Sequence, residues 1–238
     1  SLAAGVALPA AGFSAVSADV NADGYPDLYV TSYNHYGQVL PDSWDGATNG
    51  LPNLLFINQR NGTFREQAAT WGGDDRRWSY AAQFADVDGD GDADLYVAND
   101  FGGGNGLFMN DGRKFVDDAA ARGVVDQAYG MGVSFGDYDN DGDLDLHVTR
   151  MSSTAGRRIL GRLSTASFPS RERLLELRAG NALYENRGGG HFRDVSAAAG
   201  PFPAGWAWGG GFCDIDNDSW LDLFTPNGFL SGATMRDT

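Results

Sequence analysis

The nonapeptide DYDNDGDLD, Asp137 to Asp145, decides the reading of this chain, because the same frame occurs three more times. It stands as DVNADGYPD at Asp19 to Asp27, DVDGDGDAD at Asp86 to Asp94 and DIDNDSWLD at Asp214 to Asp222. The copies start 67, 51 and 77 residues apart. Internal repeats at such periods point to an architecture built from one recurring unit. In each copy, oxygen-bearing side chains alternate at positions 1, 3 and 5. An apolar residue stands at position 2, and Asp returns at position 9.

Outward from each copy the surroundings repeat too. A small-residue and aromatic segment precedes it: GFSAVSA before Asp19, YAAQFA before Asp86, GMGVSFG before Asp137 and WGGGFC before Asp214. A short apolar run follows, and then a variable spacer. An N-x-L-F/Y segment comes next, from Asn53, Asn105 and Asn181, with a Gly turn and a last short run. These are β-type segments bounded by turn residues. Four strands per unit at a period near 50 predict an all-β protein, a β-propeller of four-stranded blades. Three blades are complete in the chain and others partial. The repeats span about residues 12–70, 78–122, 130–199 and 205–230 of one region covering 1–238. Residues 33–52 read as a loop insertion. Residues 150–180 read as an Arg-rich insertion with seven Arg against Glu172 and Glu176, and with one short helix between Ser170 and Gly180.

Alternating oxygens in a tight loop suit a hard cation, with position 7 offering its backbone carbonyl. The expected ligand sets are Asp19, Asn21, Asp23, the Tyr25 carbonyl and Asp27; Asp86, Asp88, Asp90, Asp92 and Asp94; Asp137, Asp139, Asp141, Asp143 and Asp145; and Asp214, Asp216, Asp218, Trp220 and Asp222. Gly at position 6 permits the sharp bend. Ser219 replaces it in the last copy, which predicts a weaker site there. An EF-hand would need a bidentate Glu at position 12, where Val30, Val97, Val148 and Thr225 stand instead. The loop therefore joins two strands of a hairpin. Five protein oxygens leave little room for retained waters, which favours Ca2+ over Mg2+, with up to four ions.

The charge distribution points the same way. The formal charge is −15, and 17 of the 32 acidic residues lie in these four loops. Carboxylates about 4 Å apart repel by roughly 4 kcal/mol per pair at an effective dielectric near 20. Four divalent ions would reduce the charge to −7. The acidic balance argues against a nucleic-acid surface. No run of 18 apolar residues offers a transmembrane segment, and the start shows no signal-peptide pattern. The single cysteine, Cys213, excludes an internal disulfide framework.

With these residues in view, the chain resembles the FG-GAP/VCBS-type propeller repeat of integrin α-subunit heads and many secreted bacterial proteins. Phe84-Ala85-Asp86 and Phe135-Gly136-Asp137 stand where that family has its Phe-Gly approach to a calcium loop. More narrowly it is similar to the ASPIC/UnbV and cartilage-acidic-protein group. The residues concerned are Met151 to Arg157, Asn181 to Asn186 and Phe192 to Ser196. The resemblance implies a calcium-loaded propeller outside the cytoplasm, secreted or periplasmic, acting in adhesion or recognition. Such propellers commonly have seven blades. The chain is thus expected to be a segment of a larger protein or to be completed by a partner, with Ser1 to Ala10 as the tail of a preceding blade.

Other signals are weighed against these. Gly132-Val-Ser134-Phe-Gly136 has the letters of a nucleophile elbow but no following helix. His35, His147 and His191 are scattered, and His147 reads as structural. Cys213 reads as a small buried residue. Trp206 and Trp208 share one strand face, as inter-blade core or as an aromatic platform for a sugar. Asn61-Gly-Thr63 is a glycosylation acceptor only in a eukaryotic source, in an exposed turn. The function expected is a calcium-binding, non-catalytic scaffold for extracytoplasmic protein or glycan recognition. One alternative is a structural subunit of a larger membrane-associated complex, docked through the Arg-rich insertion. The other is the propeller part of a sugar-modifying enzyme or lyase. Its acid–base candidates would be Asp74, Asp75, Asp100, Glu66, Glu185 and His35.

Overall fold

The computed structural model describes residues 3–7, 11–34, 39–152, 180–200 and 205–227 of the 238. Strand follows strand in antiparallel meanders. The first sheet is β1 (Gly12–Ala18), β2 (Asp27–Ser32), β3 (Leu54–Asn58) and β4 (Phe64–Glu66). The second is β5 (Ser79–Ala85), β6 (Asp94–Asn99), β7 (Gly106–Asn110) and β8 (Phe115–Asp117). The third is β9 (Gly130–Gly136), β10 (Asp145–Arg150), β11 (Ala182–Asn186) and β12 (Phe192–Asp194). A two-stranded sheet, β13 (Gly211–Cys213) and β14 (Asp222–Phe224), ends the described chain. Four-residue helical turns, α1 (Ala68–Trp71) and α2 (Ser196–Ala199), follow the outer strands β4 and β12. The sequence carried no helix signal for either. The helix expected near Ser170, with most of the Arg-rich insertion, lies outside the described residues.

The sheets face one another like the blades of a propeller. The second strands β6 and β10 are buried along their whole length, because both faces meet a neighbouring sheet. Leu95 and Val97 of β6 pack toward the first sheet with Tyr29, Leu55 and Trp71. Tyr96, between them in sequence, packs toward the third with Leu146, Val148 and Tyr184. The period-2 alternation of a strand sends its residues to two cores. Burying a Leu or Val completely contributes about 1.5–3 kcal/mol, so these inter-sheet layers supply most of the cohesion. The first strands β1, β5, β9 and β13 lie side by side in that order.

Backbone contacts stitch sheet to sheet at the outer strands. Gly72 and Gly123, both left-handed, lie so close to the carbonyls of Phe115 and Phe192 in the following sheet that an added Cβ would fall at 2.6 Å. Gly5 stands against the Phe64 carbonyl at 2.5 Å in the same way, and the Ala4 carbonyl accepts from the Phe64 N–H. Residues 3–7 thus occupy, against the first sheet, the place that Trp71–Gly73 and Arg122–Val124 occupy against the second and third.

Candidate metal centres

Every Asp loop closes a β-hairpin between the first two strands of its sheet. Ala18 pairs with Asp27, Ala85 with Asp94, Gly136 with Asp145 and Cys213 with Asp222. The loop is tightened from within. The position 1 carboxylate accepts the position 6 N–H, from Gly24, Gly91, Gly142 or Ser219, at 2.6–3.0 Å. Position 6 is left-handed in every copy, with φ from 72° at Ser219 to 96° at Gly142. Position 4 is left-handed as well, at Ala22, Gly89, Asn140 and Asn217. This second bend is foreshadowed only by the Asn or Gly at position 4 in three of the four copies.

Position 9 has a second duty. Asp27, Asp94 and Asp145 are buried, and each carboxylate braces two backbones. One oxygen accepts the position 2 N–H, from Val20, Val87 or Tyr138, at 3.1 Å. The other accepts the N–H of Asn58, Asn110 or Asn186, which ends the third strand, at 2.7–2.8 Å. Those Asn side chains reach onward: Asn110 donates to the Val20 carbonyl and Asn186 to the Val87 carbonyl, each in the loop of the preceding sheet. The loops and the inter-sheet contacts are therefore one hydrogen-bonded system.

The donor atoms converge. Carboxylate oxygens of Asp86, Asp88 and Asp90 lie within 4.8 Å of one another, as do those of Asp137, Asp139 and Asp145 and those of Asp214, Asp216 and Asp218. Within the second and third loops, Asp88 Oδ1 and Asp139 Oδ1 are buried without any hydrogen-bond donor. A buried carboxylate oxygen left unpaired is costly, and both belong to position 3, an expected ligand. The residues thus fit a hard cation.

The carboxylates carry the mark of that crowding. Burial, with Asp88 and Asp90 adding repulsion, pushes Asp94 up to about 7 against its two N–H donors. Burial likewise raises Asp145 to about 6, with Asp139 and Asp141 contributing. Asp27 and Asp139 are raised for the same first reason. Asp23 shifts the other way: slight desolvation is outweighed by the Arg60 guanidinium and the Tyr25 N–H. Arg60 bonds Asp23 Oδ2 at 3.0 Å.

Other expected residues are engaged differently. Asp75 pairs with Arg77 at 2.8 Å, and Asp100 accepts from the Tyr33 hydroxyl at 2.6 Å. Glu66 accepts the Leu55 and Ala68 N–H groups, and Glu185 pairs with Arg187 and Arg193. His35 lies outside the described residues. Ser134 sits in mid-strand opposite His147, so the turn a nucleophile elbow needs is missing there. His147 is buried, and burial with the Arg150 charge lowers it to about 4. Cys213 is exposed, correcting the expectation of a buried thiol, because its strand has no covering sheet among the described residues. Arg150 is also corrected: it is buried and holds Asp126, the Gly180 carbonyl and the Tyr184 hydroxyl, so it is no docking cation.

The Asn that opens each N-x-L-F/Y segment recurs in the sequence with nothing local to mark its role. Asn53, Asn105 and Asn181 accept the N–H of Ser32, Asn99 and Arg150, capping the end of each second strand. At that end, away from the Asp loops, aromatic rings gather. Trp206 and Trp208 are not inter-sheet core: each is 41% exposed. Trp208 lies 6.0 Å from Tyr80, and Tyr80 stacks on Phe13 at 4.7 Å. Phe13, Tyr80, Met131 and Trp208 line an open cleft of about 240 Å³.

The FG-GAP-like repeat profile matches residues 19–97, 86–148 and 174–225. Cartilage acidic protein 1 of Mus musculus is 28% identical over 184 residues, 74% of this chain and 25% of that protein. The V. cholerae biofilm matrix protein Bap1 superposes with a TM-score of 0.42 at 15% identity, over 89% of this chain and 27% of that one. The chain thus spans about a quarter of each. No helix of the described residues is long and apolar enough to cross a membrane.

Proposed function

The chain belongs to the FG-GAP-like repeat family, and from that premise we propose that it is a calcium-braced, non-catalytic recognition scaffold working outside the cytoplasm. The observation that carries this reading is the pair of buried, unpartnered oxygens, Asp88 Oδ1 and Asp139 Oδ1, each inside a converging set of carboxylates. Asp86, Asp88 and Asp90 would hold one Ca2+, and Asp137, Asp139 and Asp145 a second, with the carbonyls of Asp92 and Asp143 available. Asp214, Asp216 and Asp218 would hold a third. Bound calcium supplies positive charge that cancels carboxylate repulsion. The residues do the rest: Asp94 and Asp145 tie the loop to the third strand of its sheet, and Asn110 and Asn186 tie that strand to the loop of the preceding sheet. A filled loop thereby fixes the sheets against one another.

An extracytoplasmic setting is supported by the mouse relative, whose name ties it to cartilage. Calcium modules outside cells work at about 10⁻⁴–10⁻³ M. The aromatic cleft beside Phe13, Tyr80 and Trp208 is the face on which a protein or glycan would be read. A calorimetric calcium titration of the wild type and of Asp88→Ala/Asp139→Ala, which removes the position 3 oxygen altogether, tests the proposal. Two fewer ions bound by the double variant is the expected result. Equal calcium uptake by both, or none by the wild type, overturns it.

A further inference from the structure

The Asp loops differ in what already stands over them. In the turn between the third and fourth strands of each four-stranded sheet, the N–H groups of Arg60, Gly112 and Gly188 make the same bond, donating to the side-chain oxygens of Asn58, Asn110 and Asn186. All three residues are left-handed, at φ 61°, 74° and 94°. A Cβ on Gly112 would meet Asp92 Oδ2 at 3.2 Å, and one on Gly188 would meet Asp143 Oδ2 at 3.8 Å. This turn therefore overhangs the Asp loop of its own sheet. In the second and third sheets the position has no side chain. In the first it carries Arg60, held in a conformation that L residues avoid.

The Arg60 side chain lies across the first loop. Its guanidinium bonds Asp23 Oδ2 at 3.0 Å and sits 5.7 Å from the Tyr25 ring centroid, over positions 5 and 7. The loop beneath is chemically quieter. Position 3 is Asn21, whose Oδ1 accepts the Asp23 N–H, whereas Asp88 Oδ1 and Asp139 Oδ1 have no donor. Asp19 accepts the Asp23 and Gly24 N–H groups and Asp23 the Tyr25 N–H, as Asp137 and Asp141 do in the third loop, so it is position 3 and the charge that set the first loop apart. Three carboxylates and one guanidinium leave a charge of −2, against −5 in the second and third loops. Arg122 also approaches Asp88, but at 3.6 Å, and it hydrogen-bonds Asp118 and the Gly189 carbonyl instead.

We infer that Arg60 is the resident cation of the first Asp loop, so that this loop takes up no calcium while the other loops do. The inference rests on the calcium reading above, and it makes the chain's stoichiometry one ion smaller than its count of Asp loops. The arrangement also makes the first loop independent of calcium supply, a hairpin locked by a salt bridge where its neighbours are locked by metal.

Native mass spectrometry in calcium counts the ions on wild type, Asp23→Asn, Arg60→Gly and Arg60→Gly/Asp23→Asn. Glycine is the residue the other two sheets carry at this turn, so Arg60→Gly keeps the fold. The expected result is an unchanged ion count for Asp23→Asn, one additional ion for Arg60→Gly, and loss of that ion in the double variant. An ion lost from Asp23→Asn alone, or no ion gained by Arg60→Gly, overturns the inference. A wild type that binds no calcium at all sinks the broader reading instead, whatever Arg60→Gly does.

Discussion

A single carboxylate shows how tightly these loops are drawn. Asp145 is fully buried, and its two oxygens accept the N–H groups of Tyr138 and Asn186. In Asp145→Asn one of those donors faces an amide NH2 and loses its acceptor. An unsatisfied buried donor costs about 1–3 kcal/mol, which lowers the melting temperature by roughly 2–12 °C in a chain of this size. Asp143→Asn, which removes an outer carboxylate and no backbone brace, is expected to melt within about 2 °C of wild type in calcium-free buffer; differential scanning calorimetry compares the two. The same residues set a pH dependence. Asp94 titrates near 7 and Asp145 near 6 in the metal-free fold, against an ordinary value of 3.8. Each favours the folded state below about pH 4, and that contribution is lost as pH rises toward 7. Calcium reverses the preference, since it binds the charged form. The melting temperature with calcium should therefore separate from that with chelator as pH rises from 5 to 8. A constant gap across that range would contradict the assignment of these carboxylates.

At the scale of the element, much was open to reading from the chain. The nonapeptide frame fixes the hairpin, because position 9 starts a strand in all four copies and the residue before position 1 ends one. Position 6 glycine announces its bend. What stayed hidden needs a partner from elsewhere in the chain. Asn110 and Asn186 meet carbonyls 90 and 99 residues away, and nothing local marks an Asn as an inter-sheet bond. Arg60 likewise looks like an ordinary turn residue until the loop 37 positions upstream lies beneath it. Replacing Asn110 by Ala strands the carbonyls of Val20 and Ala93. It is expected to cost about 1–3 kcal/mol in urea unfolding. Glycines separate turn from staple. Gly62→Ala places its Cβ in open space at φ 82° and costs only the left-handed strain, about 1–2 kcal/mol. Gly123→Ala adds a 2.6 Å clash with the Phe192 backbone to similar strain at φ 80°, and urea midpoints should rank it clearly lower. Equal midpoints would remove the staple.

Over the whole molecule, charge and cohesion are segregated. Apolar layers between sheets hold the described strands together, the acidic loops crowd one end of each hairpin, and aromatic rings gather at the other. The all-β meanders follow directly from the repeat, whereas the Arg-rich stretch gave a misleading surface reading at Arg150 because burial beside Asp126 is a tertiary fact. A chain at −15 with 17 acids in four loops should depend on divalent cations for its stability as a unit. A ligand that binds only the folded state at 100 times its Kd adds about 2.7 kcal/mol per site. The most direct test is thermal unfolding of the whole chain at pH 7.5 in millimolar calcium, in EGTA, and in EGTA followed by excess calcium. A melting temperature lower by 10 °C or more in EGTA, restored by calcium but not by an equal concentration of magnesium, is the predicted result. One unfolding curve common to all conditions would contradict it.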